Sequence, residues 1–153
     1  MKGNAEVLKS LQMAAPLEAQ LNLQFRLDLR SLKNMGLKSV AAHVKKLGDN
    51  AHDYLKEVSK RILFLEGNPS YSVGAITEQT SVTALFQNEL KLQMAAVQPY
   101  EQAVQTAAKA MDDTTRNLFE HLLKWHQHDI GWLEIQLRQI EGLGEKAYIE
   151  AKI

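Results

Sequence analysis

Apolar residues recur at every third or fourth position through four long stretches of this chain, and that spacing predicts four amphipathic helices. The clearest stretch runs from Val40 to Pro69, where Val40, Val44, Leu47, Ala51, Tyr54, Val58, Ile62 and Leu65 form one stripe closed by Gly67 and Pro69. At mid-length the stripe shrinks to Ala51 and then offers the phenol of Tyr54. Upstream, between Ala5 and Asn34, the series Asn4, Leu11, Glu18, Phe25, Leu32 alternates with Leu8, Ala15, Asn22, Leu29, a seam typical of helix-on-helix packing, with Glu18 inside it. The turn Asn34-Met35-Gly36 is short enough to return the second helix antiparallel beside the first.

After Gly67 a polar segment containing Gly, Pro, Ser and Thr extends to about Gln79, roughly the length needed to cross a bundle from end to end. From Thr80 the helical period resumes in Val82, Phe86, Leu90, Gln93, Val97, Tyr100 and Val104, with Pro99 expected to kink it and Gln93 on the seam. Asp112-Asp113-Thr114 supplies the cap of a fourth helix whose stripe is Phe119, Leu123, His126, Ile130, Leu133, Leu137 and Ile140, with Asp129 near His126. Gly142 and Gly144 end it, and Glu145 to Lys152 forms a short fifth helix that must dock on something. The expected fold is all-α: one domain over residues 1–153, a four-helix bundle of ferritin-like connectivity with a long crossover between helices 2 and 3 and a short fifth C-terminal helix.

Composition removes several function classes. Eighteen basic and eighteen acidic residues cancel, leaving no net field to hold nucleic acid or an acidic membrane surface, so neither is expected as a partner. The absence of cysteine excludes disulfides and thiolate ligands and suits a cytoplasmic protein. Met1 to Glu6 carry no apolar signal region, and no apolar run approaches the ~18–20 residues of a membrane span.

The candidate chemistry lies in polar groups at comparable depth along the four stripes. A di-iron bundle uses one carboxylate from each of two helices and a Glu-x-x-His pair from each of the other two, because a spacing of three puts both ligands on one face. Here the matching positions are Glu18, Ala51 with Tyr54, Gln93, and His126 with Asp129. Two metals ~3.5–4 Å apart need several anionic bridges, whereas Ala51 has no donor atom, Gln93 is neutral and Tyr54 is a poor ligand at neutral pH. Two readings remain. Glu18, His126 and Asp129 suit a single Fe(II), Zn(II) or Mn(II) ion; alternatively Glu18, Gln93, His126 and Tyr54 satisfy one another with hydrogen bonds. His126-Gln127-His128 looks metal-like, but helix geometry points 126 and 128 to different faces. His52 belongs to a flank with Lys45, Asp49 and Lys56, where Arg26 and Arg30 of the first helix would meet Asp49 and Asp53.

Four stretches make the chain resemble bacterioferritin along nearly its entire length. They are Met1-Lys2-Gly3; Leu32 to Lys38; Arg61-Ile62-Leu63-Phe64-Leu65-Glu66-Gly67-Asn68-Pro69; and Asp129 to Glu134 followed by Gly144 to Ile153. The resemblance implies a hollow 24-subunit shell that stores ferric mineral, with dimers sharing haem b across their two-fold axis. It carries the family's iron-oxidising ligands onto Glu18, which matches, and onto Ala51, Tyr54, Gln93, His126 and Asp129, which replace Glu, His, Glu, Glu and His; the last three assume one deletion in the crossover. The haem's axial methionine falls on His52, and histidine is a competent haem ligand. The first expectation is therefore a storage-shell subunit that lacks ferroxidase activity and co-assembles with a ferroxidase-active paralogue. The alternatives are an iron oxidase with a reduced site of Glu18, His126 and Asp129, and a haem-bearing subunit that admits electrons for iron release.

Overall fold

The computed structural model describes residues 2–153, and among them it contains five helices and no strand. Helix α1 (Ala5–Asn34) starts at Asn4, whose Oδ1 accepts from the backbone N–H groups of Glu6 at 2.9 Å and Val7 at 3.2 Å. It ends at Gly36, held at φ 81°, and Leu37 N–H closes the turn on Leu32 O at 3.0 Å. Helix α2 (Lys38–Phe64) therefore returns antiparallel against α1. Every residue of the α2 stripe read from the sequence, Val40 to Leu65, is buried.

Past α2 the chain turns sharply, with Gly67 N–H on Ile62 O at 2.9 Å. A Cβ at Gly67 would lie 2.7 Å from Leu8 Cδ2 and 3.0 Å from Ile62 Cγ2, so this turn packs closely on α1 and a side chain there would oblige Leu8 to shift. The crossover then runs without regular structure to Ser81, whose hydroxyl caps α3 (Val82–Lys109) by accepting from Ala84 N–H at 3.1 Å. Asp112 caps α4 (Asp113–Leu143), and its carboxylate also receives Arg61 from α2 at 2.8 Å. Gly144, at φ 83°, redirects the chain into α5 (Glu145–Lys152). That short helix is docked twice: Tyr148 OH donates to Gln136 Oε1 at 2.6 Å, and Glu145 accepts from Thr83 N–H at 2.9 Å.

The long helices pack as α1 with α2 and α3 with α4, joined through α1 and α3. Two apolar clusters fill the bundle. One gathers Phe25, Leu32, Val44, Phe86, Leu133 and Tyr148; the other gathers Leu11, Val58, Tyr100, Phe119 and Leu122. In chain order, Glu18 falls between cluster members Ala15 and Leu21, and His126 between Leu122 and Leu133, so a polar layer divides the core.

Three details differ from the sequence pattern. Asn4 is an exposed cap and not a seam residue. In α3 and α4 the deepest face is turned about one position, burying Leu85, Glu89, Leu122, Asp129 and Gln136 while Leu90, Leu123, Ile130 and Leu137 are only half-buried. The buried face does keep a seven-residue period, through Phe86, Gln93, Tyr100 and Ala107 in α3 and Phe119, His126, Leu133 and Ile140 in α4, but its alternate positions follow three residues later, where the apolar Leu90, Leu123, Ile130 and Leu137 suggested four. Finally, α3 continues unbroken through Pro99, where the buried Ala96, Tyr100 and Ala103 on either side hold the helix against its neighbours.

Candidate functional site

All four long helices contribute to the polar layer: Glu18 from α1, Tyr54 from α2, Gln93 and Tyr100 from α3, His126 and Asp129 from α4. Each is buried, Glu18 and Tyr100 completely. Glu18 Oε2 accepts from Tyr100 OH at 2.5 Å and lies 2.7 Å from His126 Nε2. On its other side His126 Nδ1 meets Gln93 Oε1, and the amide of Gln93 donates through Nε2 to Asp129 Oδ2 at 3.4 Å. The chain of contacts ends at His128, exposed on α4, 3.6 Å from Asp129 Oδ1.

The protons in this chain follow from its donors. Gln93 spends its N–H on Asp129, so it turns its carbonyl oxygen to His126, and Nδ1 must carry a hydrogen. Nε2 then faces a carboxylate. Burial pulls the His126 imidazolium down, but the charge of Glu18, its hydrogen bond and the charge of Asp129 together hold His126 above the ordinary histidine value. The opposite happens to Asp129: burial raises its carboxyl and outweighs His126, His128 and Gln93. A protonated imidazole thus sits between two acidic side chains, where it supplies positive charge in the middle of the bundle.

The remaining position is closed by α2. Ala51 presents no donor atom, and Tyr54 stands edge-on to His126 with ring centres 6.1 Å apart. Tyr54 also lines a surface pocket of about 330 Å³ with Asp53, Glu57 and His121, so its ring separates solvent from the polar layer. Burial first, then Asp129, Glu18 and Asp53, push its phenol well up, and at neutral pH it is a neutral hydroxyl.

The structure thus brings Glu18 and His126 into direct contact and links Asp129 to them through Gln93. Among the described residues no group of three or more His, Asp or Glu side chains is arranged to hold a metal ion. His52 lies elsewhere, exposed on α2. One turn before it, Asp49 bridges Lys45 at 3.0 Å and Arg26 of α1 at 2.7 Å. Hydrogen bonds from Lys45 and Arg26 hold the Asp49 carboxyl below its usual range. A porphyrin needs apolar cover over its faces, and a surface built on this ion-pair network does not fit one.

A second buried polar group escaped the sequence reading. Asp28 of α1 and Glu89 of α3 are both fully buried. Gln24 Nε2 donates to Asp28 Oδ1 at 2.9 Å and to the crossover carbonyl of Thr77 at 3.1 Å. The signal was present, because Asp28 follows Phe25 by three on the buried face of α1, and Glu89 follows Phe86 by three and precedes Gln93 by four.

Comparison with known proteins gives a consistent answer. A family model described as a ferritin-like domain matches residues 9–143. The chain is 27% identical to a bacterioferritin of Streptomyces coelicolor, the match covering all of this chain and 92% of the relative. It is 25% identical to the bacterioferritin BfrA of Mycobacterium tuberculosis, over 97% of this chain and 94% of the relative. Among solved structures, Mycobacterium tuberculosis BfrA superposes with a TM-score of 0.95 at 24% identity, covering 100% of this chain and 97% of that one. A Rhodobacter capsulatus bacterioferritin, described with a metal-free dinuclear site and haem iron, superposes with a TM-score of 0.94 at 24% identity, over 99% and 96% of the two chains.

Proposed function

Starting from the chain's membership of the ferritin-like family, we propose that it is an iron-storage subunit of bacterioferritin type with no ferroxidase activity of its own. It contributes wall to a shell, of 24 subunits by its resemblance, and a second, catalytically complete subunit of the same assembly oxidises the Fe(II) that the shell keeps as ferric mineral. Iron is cargo in this reading. The observation that carries it is the Glu18–His126 contact: the place where a bundle of this kind would gather carboxylates around metal holds a hydrogen-bonded set that neutralises itself.

The chemistry supports that role. A metal ion entering the layer would have to displace the proton from His126 Nε2 and detach Tyr100 from Glu18. Gln93 has no charge to offer, and Ala51 leaves its side of the site without a ligand atom. Haem has no part in the proposal, because the face around His52 does not suit it. One atom favours the diverged-oxidase alternative, since Glu18 Oε1 is buried without a donor and faces no competing hydrogen. The direct test is Fe(II) oxidation in air by the purified protein alone, followed at the ferric-oxo absorbance against buffer. A trace matching buffer is expected, with mineral forming once a ferroxidase-active bacterioferritin is co-assembled. A fast, saturable phase that disappears in Glu18→Ala would overturn the reading in favour of a working site of Glu18, His126 and Asp129.

A further inference from the structure

We propose that Asp28 and Glu89 form a buried acid pair that holds one proton between them at neutral pH and so latches the crossover onto α1. Both carboxyls are fully buried on helices α1 and α3, which pack against each other, and each is the other's side-chain partner, one turn from Phe25 and Phe86 of the apolar core. Of their four oxygens only Asp28 Oδ1 receives a hydrogen from a neighbour; Asp28 Oδ2, Glu89 Oε1 and Glu89 Oε2 have no donor. Two carboxylates so placed would leave two negative charges in a medium that solvates neither. A proton on one of them supplies the missing donor and converts the repulsion into a hydrogen bond, as in carboxyl pairs elsewhere.

Burial drives the Glu89 carboxyl well above its usual range, and the hydrogen bond with Asp28 and the acidic charges of Asp28 from α1 and Asp129 from α4 act in the same direction. Asp28 is raised as well, by burial, against the hydrogen bonds from Glu89 and Gln24. Gln24 is the link to the chain outside. Its amide nitrogen is shared between Asp28 Oδ1 and Thr77 O, so the state of the acid pair is felt where the crossover meets the bundle. When the shared proton leaves, the second charge has no donor to solvate it, and Gln24, bonded at once to Asp28 and to Thr77 O, is the side chain through which that strain reaches the crossover. The pair is then a switch that releases this segment as pH rises.

The test uses the intact assembled protein. Infrared difference spectra between neutral and alkaline pH are expected to show one neutral carboxyl in the wild type that disappears in Glu89→Gln. Amide hydrogen exchange over residues 68–80, corrected for its intrinsic pH dependence, is expected to rise about tenfold per pH unit above the transition in the wild type and to stay flat in the variant. Asp28→Asn gives a second reading of both signals if Glu89→Gln does not fold. Absence of a neutral carboxyl band at pH 7, or the same band in both variants, would overturn the proposal. So would binding of Mn(II) or Zn(II) by the wild type that either substitution abolishes, because the pair would then be a cation site.

Discussion

Replacing Glu18 by leucine isolates the contact on which the functional proposal rests. The substitution removes the carboxylate that holds the His126 proton, leaving the imidazole in a dry layer without its partner, and deprives Tyr100 of the oxygen it donates to at 2.5 Å. Breaking a buried ion pair from one side costs about 3–5 kcal/mol, most of it the desolvation of the partner left behind. For a domain of this length each kcal/mol lowers Tm by roughly 2–4 °C, so a fall of about 6–20 °C is expected in thermal unfolding at pH 6, at fixed protein concentration. Glu18→Leu combined with His126→Leu removes both charges and should recover a large part of the loss, giving a coupling of about 1–3 kcal/mol in the double-mutant cycle. If the two substitutions are additive, or if Glu18→Leu leaves Tm unchanged, the pair does not neutralise itself and the case against a metal centre fails.

Other outcomes follow from the same geometry. Arg61→Ala should cost about 1.5–3 kcal/mol in chemical denaturation, because the guanidinium donates to Asp112 at 2.8 Å and Thr115 at 3.0 Å and ties α2 to the cap of α4. Tyr148→Phe should cost about 1–3 kcal/mol by leaving Gln136 Oε1 unpaired, and should be read as faster hydrogen exchange in α5 than in α4. Stability should fall from mildly acidic to alkaline pH. The raised groups His126, Asp129, Asp28 and Glu89 contribute fully below their ordinary values and lose that contribution as pH rises through their folded values; His43, lowered by burial, opposes them up to its ordinary value, and Asp112, held below its own, does so only under strong acid. A Tm that climbs steadily from pH 5 to pH 9 would refute this sign. The joint variant Ala51→Glu, Tyr54→His, Gln93→Glu, His126→Glu and Asp129→His should gain a rapid Fe(II) oxidation phase that the parent lacks.

The stripe of α2 was legible residue by residue because one helix face meets one core and eight apolar positions keep the same period. The turn at Gly36 and the stops at Gly67 and Gly144 were legible for a similar reason, since local backbone chemistry decides them. In α3 and α4 the reading lost half the buried face, because it took the apolar Leu90, Leu123, Ile130 and Leu137 as the alternate stripe positions where their neighbours Glu89, Leu122, Asp129 and Gln136, three of them polar, are the buried ones. The candidate site showed the same division. Its members were identifiable as polar residues on apolar stripes. Their pairing was not: that Glu18 would take both Tyr100 and His126, while Asp129 is reached through an amide, depends on rotamers and helix rotation at the level of an ångström. Asp28 and Glu89 went unrecognised although each lies three residues after a buried phenylalanine, because the stripes were followed through apolar residues and an acid beside them was read as exposed.

How the bundle tolerates acidic side chains in its core can be argued from charge. Acidic residues converging in a bundle core are stable only if a cation sits among them or a proton neutralises one of them. In a metal-bearing bundle the ions do this, so removing the ligands one at a time would leave partial sites that repel. Here the compensation is internal. Asp129 and Glu18 remain acidic, His126 between them takes a proton, Gln93 relays a neutral dipole, and Tyr100 supplies a donor to Glu18. Such a set is stable only as a whole, since each member's protonation or orientation is fixed by the next. The single substitution Gln93→Glu would therefore add a third acid beside a single imidazolium. It should destabilise the fold without restoring iron oxidation, whereas His126→Glu alone should be worse, because it removes the cation and adds a charge. If either single variant proved as stable as the parent and oxidised Fe(II), the layer would be a metal site with interchangeable ligands, and the neutralisation argument would fall.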